Sequence, residues 1–211
     1  MAVNNNTFTE KVIMSVSNSY DDTEKNRRIE FKRVNHNFQI VSKRWSEKYK
    51  NYELKPTCRL SVSWTVGSIA ILALMNSAIA EMGKQEFTAD MNGKTFYEDG
   101  VKNNKGEEFS ITGKVLQSGE KVIFLSLDNG DMKDFVRLDL LTDIVYKKEN
   151  VKSWLAPLEY FTNKLSAYIY DPEANDKFIA RMMKSEKEGT NTTEDDKDDE
   201  KQEKPSDDFP F

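Results

Sequence analysis

Only one cysteine (Cys58) and one histidine (His36) occur in 211 residues, and these two scarcities remove whole classes of chemistry. A lone cysteine excludes a disulfide within the chain, and with a lone histidine it excludes a Cys/His zinc cage. Any Ser-His-Asp or Cys-His arrangement would have to use His36, which falls in the short turn Asn35-His36-Asn37 between two basic stretches. An exposed turn residue or phosphate donor is the ordinary reading of a histidine there. Cys58 opens an apolar stretch and reads as a buried, inert thiol. Nine glycines and five prolines are few, and none falls into a Walker loop or a Rossmann glycine fingerprint. The run "DNGDMKD" (128–134) offers acids like a calcium loop but lacks its later glycine and closing glutamate, so it reads as a hairpin turn. The expectation is a protein that is not an enzyme, with no metal and no cofactor.

Long hydrophobic runs are also scarce. The amino terminus "MAVNNNTFTEK" has neither the basic start nor the apolar stretch of a signal peptide, which points to a reducing, cytoplasmic-type compartment. The one long uncharged run, residues 60–80, has the length to span a bilayer, but Ser61, Ser63, Thr65, Ser68, Asn76 and Ser77 are spread through it. A buried strand running into a core helix is expected instead, and no membrane contact.

Charge is what the chain has in abundance, and it is divided unevenly. Residues 186–211 hold eleven acids and four lysines, whereas residues 1–185 carry 27 bases against 25 acids. The acidic character therefore belongs to the tail. Between Lys25 and Leu60, eleven Lys or Arg face only Glu30, Glu47 and Glu53. Such asymmetry points to an anionic partner for the basic part. Past Met183 no apolar residue occurs until Phe209, so that stretch has nothing to bury and is expected to be disordered. The expected division is a binding domain over 1–183 and an acidic tail over 184–211.

Within the body, alternation and turn residues predict strands at 11–17, 28–34, 38–45, 58–64, 86–91, 108–117, 121–127 and 134–140. Three- and four-residue spacing predicts helices over 65–82 and 151–169, the second becoming regular near Pro157. In the first helix Val66, Ile69, Ala70, Ala73, Leu74, Ser77 and Ala80 form one row, and Ile71, Leu72, Met75 and Ile79 another. With both rows apolar or small, the helix is expected to be covered on most sides. The order is four strands and a helix, twice, in an α+β chain of antiparallel sheets with two helices.

Aromatic residues are interleaved with the basic stretch: Phe31, Phe38, Trp45, Tyr49 and Tyr52. A positive groove for phosphates with flat rings for unpaired bases is how single-stranded nucleic acid is held, each stack contributing roughly 1–3 kcal/mol. Phe31 and Phe38 are expected in the core. Trp45, Tyr49 and Tyr52, in a stretch that alternates poorly, are expected to stack. Arg27, Arg28, Lys32, Arg33, Lys43, Arg44, Lys48 and Lys50 are the expected phosphate contacts.

The tail ends Asp207, Asp208, Phe209, Pro210, Phe211 with a free carboxylate. Aromatic rings suited to a pocket, beside acids suited to a basic rim, make a linear protein-recognition motif. These five residues and the acidic linker resemble the tip of bacterial single-stranded-DNA-binding proteins, which commonly end Asp-Asp-Ile/Leu-Pro-Phe; Phe209 replaces the usual aliphatic. The resemblance implies docking of replication, recombination and repair proteins onto the final residues. The body does not resemble the usual bacterial protein of this class, which points to a phage or mobile-element version acting in a host cytoplasm. By order of elements alone the body is similar to the Whirly-type fold of two β4α units, with an oligonucleotide-binding (OB-fold) barrel carrying extra elements as the alternative.

The resulting expectation is a protein that coats single-stranded DNA and recruits partners through its tip, in a class where cooperative homo-oligomers are common. A nucleic-acid-mimicking regulatory protein and a strand-annealing recombinase are the rival readings.

Overall fold

The computed structural model describes residues 10–18, 22–138 and 153–171, with Glu173, Lys177, Phe178, Ala180 and Arg181. The acidic tail and its tip lie outside the described residues, as do the 183/184 boundary and the end of the strand expected at 134–140. Five strands open the chain: β1 Glu10–Asn18, β2 Arg27–Val34, β3 Asn37–Ser46, β4 Asn51–Tyr52 and β5 Cys58–Ser63. They form one antiparallel sheet in the order β1-β2-β3-β4, with β5 also paired to β3. Helix α1 (Trp64–Gly83) follows, then β6 Thr95–Lys102, β7 Glu108–Val115, β8 Lys121–Asp128 and β9 Lys133–Arg137, a second antiparallel sheet in sequence order. Helix α2 (Ala156–Ile169) comes last, with Pro157 in its first turn. The chain is thus α+β, with two antiparallel sheets and two helices among the described residues.

Local chemistry accounts for the turns. Asn35 takes a left-handed φ of 50° between β2 and β3, a conformation asparagine tolerates better than most residues. Between β8 and β9 the Asn129 carboxamide accepts hydrogen bonds from the backbone N–H groups of Asp131 and Met132, at 3.1 and 2.8 Å. Gly130 beside it has φ 88°. The acids of "DNGDMKD" thus form a side-chain-braced hairpin turn.

The two-residue period of the strands sends Met14, Val16, Ile29, Phe31, Phe38, Ile40, Cys58 and Leu60 to one face of the first sheet, all buried. Ile111, Leu125, Leu127, Val136 and Phe109 meet them from the second sheet in one core. Phe31 and Phe109 join the sheets edge to face, with centroids 5.7 Å apart. Phe31 and Phe38 are core residues, as expected.

Two expectations are corrected. Residues 86–91 form no strand; Ala89–Met91 is a short 3-10 turn, and the strand lies at Thr95–Lys102. That strand is the edge of its sheet, has a register shift between Thr95 and Tyr97, and exposes Glu98 and Asp99 side by side, so it has no clean alternation to read. Helix α1, for its part, is not covered on most sides. It buries Ile71, Leu72, Met75, Ala78 and Met82, while Val66, Ile69, Ala73, Ser77 and Ala80 face outward. Of the row running from Val66 to Ala80 only Leu74 is buried, because sheet and α2 occupy only one side. This helix is long and apolar enough to cross a membrane by length and composition, and it packs that one side into the core.

Candidate nucleic-acid interface

Alternation that buries Ile29 and Phe31 turns Arg28, Glu30 and Lys32 onto the opposite, outer face of β2. On β3 the same parity places Lys43 opposite Arg28, with Trp45 two residues on. The stretch that alternates poorly in sequence forms a hairpin: Trp45 sits directly opposite Tyr52 of β4, and Lys50 takes a φ of 48° in the turn. Trp45 and Tyr52 meet edge to face at 5.4 Å and 85°, and the Arg28 guanidinium lies 4.3 Å from the Tyr52 ring centre. A ring pair of this kind contributes about 0.5–1.5 kcal/mol beyond its buried area, so the hairpin holds its rings in place before any ligand arrives. The indole N–H of Trp45 donates to Glu47 at 2.9 Å, and Glu47 also pairs with Lys50. At the turn Tyr49 is 67% exposed, with the Lys48 ammonium 5.2 Å from its ring centre.

The centre of this face carries a network the sequence does not announce. Glu30 receives both Lys32 and Lys43, each 3.0 Å from the same carboxylate oxygen, and Lys32 also reaches Glu10 at 2.5 Å. Burial pushes the Glu30 carboxyl up, but the hydrogen bonds from the two lysines outweigh it and hold it below the ordinary glutamate range. Burial likewise pushes Lys32 down, and Glu10 and Glu30 more than reverse that, leaving it above the ordinary lysine value. Lys32, 7% exposed, is occupied by Glu10 and Glu30 and, like the buried Arg33, is closed to a phosphate. Lys43 shares the same anion with a side chain 15% exposed and is the cation of the pair nearer the surface.

The remaining expected contacts divide by parity. Arg27 and Arg44 lie opposite each other on the inner-face parity, at the end of the sheet. Both reach Asp134 of β9: Arg27 Nε at 3.0 Å and Arg44 Nη2 at 3.3 Å from the same oxygen. The other Asp134 oxygen accepts from the Ser42 hydroxyl at 2.7 Å. Cys58 lies beside it; burial, then the Asp134 charge, push its thiol up, as suits an inert buried sulfur. Arg33 leaves the candidate set. It is 4% exposed, and its guanidinium is packed 4.2 Å from the Trp64 ring centre and 4.0 Å from that of Phe178. Its parity faces the helices, a fact invisible in a run where the bases come as adjacent pairs, Arg27-Arg28 and Lys32-Arg33.

The structure thus brings Arg28, Lys32, Lys43, Trp45 and Tyr52 onto one face, sets Lys48, Tyr49 and Lys50 at the hairpin turn beyond it, and ties Arg27 and Arg44 to the second sheet. Sequence reasoning missed Asp134 and the part played by Glu30. The only signal was negative: these acids stand among apolar positions, where a charge needs a partner. No protein-family model matches the chain, and no curated protein matches its sequence.

Proposed function

We propose that this chain is a single-stranded-DNA-binding protein without enzymatic activity, which coats unpaired strands and recruits replication, recombination or repair proteins through its acidic carboxyl-terminal tip. The observation that carries the reading is the outer face of the first sheet, where a preformed Trp45–Tyr52 ring pair stands beside Arg28 and Lys43. Rings at fixed positions stack on bases, and cations spaced along adjacent strands meet the phosphates between them. The order of strands and helices supports a Whirly-like body of two sheet-plus-helix units. One departure goes with that reading, a short fifth strand in the first unit. The uncharged outer row of α1 supports self-association of copies along a strand. The tail, as a polyanion, competes with DNA for the basic face, and its final rings dock other proteins. A cytoplasmic location, in a host cell for a phage-encoded chain, goes with this reading.

The test is a salt-titrated binding assay with single-stranded DNA, RNA and duplex, on the full chain and on a chain lacking 186–211. The expected result is preference for single strands, affinity falling steeply with salt, and equal or tighter binding without the tail. Equal affinity for duplex and single strands, or none at any salt, overturns it. No affinity in the tail-deleted body favours the rival reading of a regulatory protein that mimics nucleic acid.

A further inference from the structure

The outer face of the second sheet repeats the chemistry of the first. Ile123, Leu125 and Leu127 of β8 and Val136 of β9 point into the core, so Phe124 and Phe135 point away from it. Phe124 lies opposite Arg137 and Phe135 opposite Ser126, which makes the two rings a diagonal cross-strand pair. They meet edge to face, 5.6 Å apart at 80°, close to the 5.4 Å and 85° of Trp45 and Tyr52. Around them on the same face, Lys114 of β7 and Arg137 of β9 are the nearest bases; Glu120 of the β7–β8 turn approaches Arg137 at 3.9 Å, and the exposed Glu98 of β6 stands across Thr112 from Phe124. Two further acids, Glu108 and Asp128, sit opposite each other at the far end, flanked by Lys102 and Lys133. Val122 and Ser126 in the middle are buried, while Phe135 on the edge strand is 46% exposed.

The two faces are also joined. β9 is an edge strand, and Asp134, adjacent to Phe135, binds Arg27 and Arg44 at the end of β2 and β3. Arg44 keeps a side-chain exposure of 38% and directly precedes Trp45. Arg44 and, at 18% side-chain exposure, Arg27 are thus the cations between the hairpin rings and the β9 edge that carries Phe135. A ring on a sheet surface needs no base identity to stack, and a phosphate needs only a cation within reach.

We infer that Phe135 and Phe124, with Arg137 and Lys114, form a second stacking and phosphate-contact site for single-stranded nucleic acid, so that one strand wraps the edge of β9 and touches both sheets. This rests on the single-stranded-DNA reading above and extends it by naming where the strand continues. The bland alternative is that the ring pair only braces its sheet, as diagonal aromatic pairs do.

The test compares oligothymidylates of about 10 and about 30 nucleotides, lengths on either side of the span one small site occludes. Binding is read for the full chain carrying Phe135→Leu, Phe135→Tyr or Arg137→Gln. The leucine variant keeps the apolar bulk but not the ring. It is expected to bind the short oligomer as before and the long one about tenfold more weakly; the tyrosine variant restores the long-oligomer affinity. Arg137→Gln is expected to lower the salt dependence for the long oligomer alone. Unchanged affinity for both lengths, with a fall in the melting temperature of the leucine variant, would make the pair a structural brace and overturn the site. An equal loss on both lengths, or a change in oligomeric mass in place of binding, also overturns it. If the unsubstituted chain binds neither oligomer, the parent reading fails and this inference falls with it.

Discussion

Arg27 and Asp134 are 107 residues apart in sequence, yet the Arg27 Nε–H donates to the Asp134 carboxylate at 3.0 Å and so joins β2 of the first sheet to β9 of the second. Asp134 is 2% exposed in its side chain, and Arg44 and Ser42 share it. Removing one partner of a buried ion pair leaves the other charges without compensation, which costs about 3–5 kcal/mol. Asp134→Ala is therefore expected to lower unfolding free energy by that order in denaturant titration. A change within 0.5 kcal/mol would show that the clamp contributes nothing net.

Glu30 sets the acid side of stability. Its folded-state pKa lies below the ordinary value of 4.5, so its contribution is present above the unfolded value and is lost as pH falls through the folded one. Glu30→Gln should destabilise the protein at pH 7 by about 3 kcal/mol, and the gap from the parent should close on titration into that acid window. An equal gap at neutral and acid pH would contradict the ion-pair account. The same variant leaves Lys32 and Lys43 without their shared anion and should tighten single-stranded DNA binding.

The hairpin rings and the lysines should separate by salt. Trp45→Ala and Tyr52→Ala are each expected to cost about 1–3 kcal/mol of single-stranded DNA affinity with the salt slope unchanged. Lys43→Ala should lower the slope of log K against log salt by about 0.7. A slope change in the ring variants would place phosphates, not bases, at the hairpin.

Gly67, in the first turns of α1, lies against Val62 of β5. A Cβ there would stand 2.2 Å from Val62 Cγ2 and 2.5 Å from Val62 Cβ. In an open helix Gly→Ala is stabilising by about 1 kcal/mol. Here Gly67→Ala is expected to lower the melting temperature, and Val62→Ala should offset part of that loss in a double-mutant cycle. Additive effects would mean that strand and helix part without resistance.

The outer row of α1 makes a contrasting case. Val66 is 72% and Ile69 47% exposed, whereas Ile71 is fully buried. Lysine at either of the first two positions should change stability by no more than about 0.5 kcal/mol, while Ile71→Lys should prevent folding. Circular dichroism during thermal unfolding distinguishes them.

Composition and periodicity determined a great deal by themselves. Alternating apolar residues set most of the strands, three- and four-residue spacing set both helices, and Asn35 and Asn129 marked turns, because each of these depends on local backbone preference and on which side of an element is apolar. The concentration of bases and rings between Lys25 and Leu60 was equally plain. Tertiary structure alone decided which apolar row of α1 packs, since both rows satisfy the same spacing and only the position of the sheet chooses between them. It alone decided that β6 is a strand, because an edge needs no hydrophobic alternation. It also divided the basic run: adjacent residues on a strand face opposite ways, so Arg28 and Lys43 share a face while Arg27 and Arg44 turn to a carboxylate ninety and more residues away. No local pattern records a partner at that distance, because a buried charge is paid for by whatever the fold brings beside it.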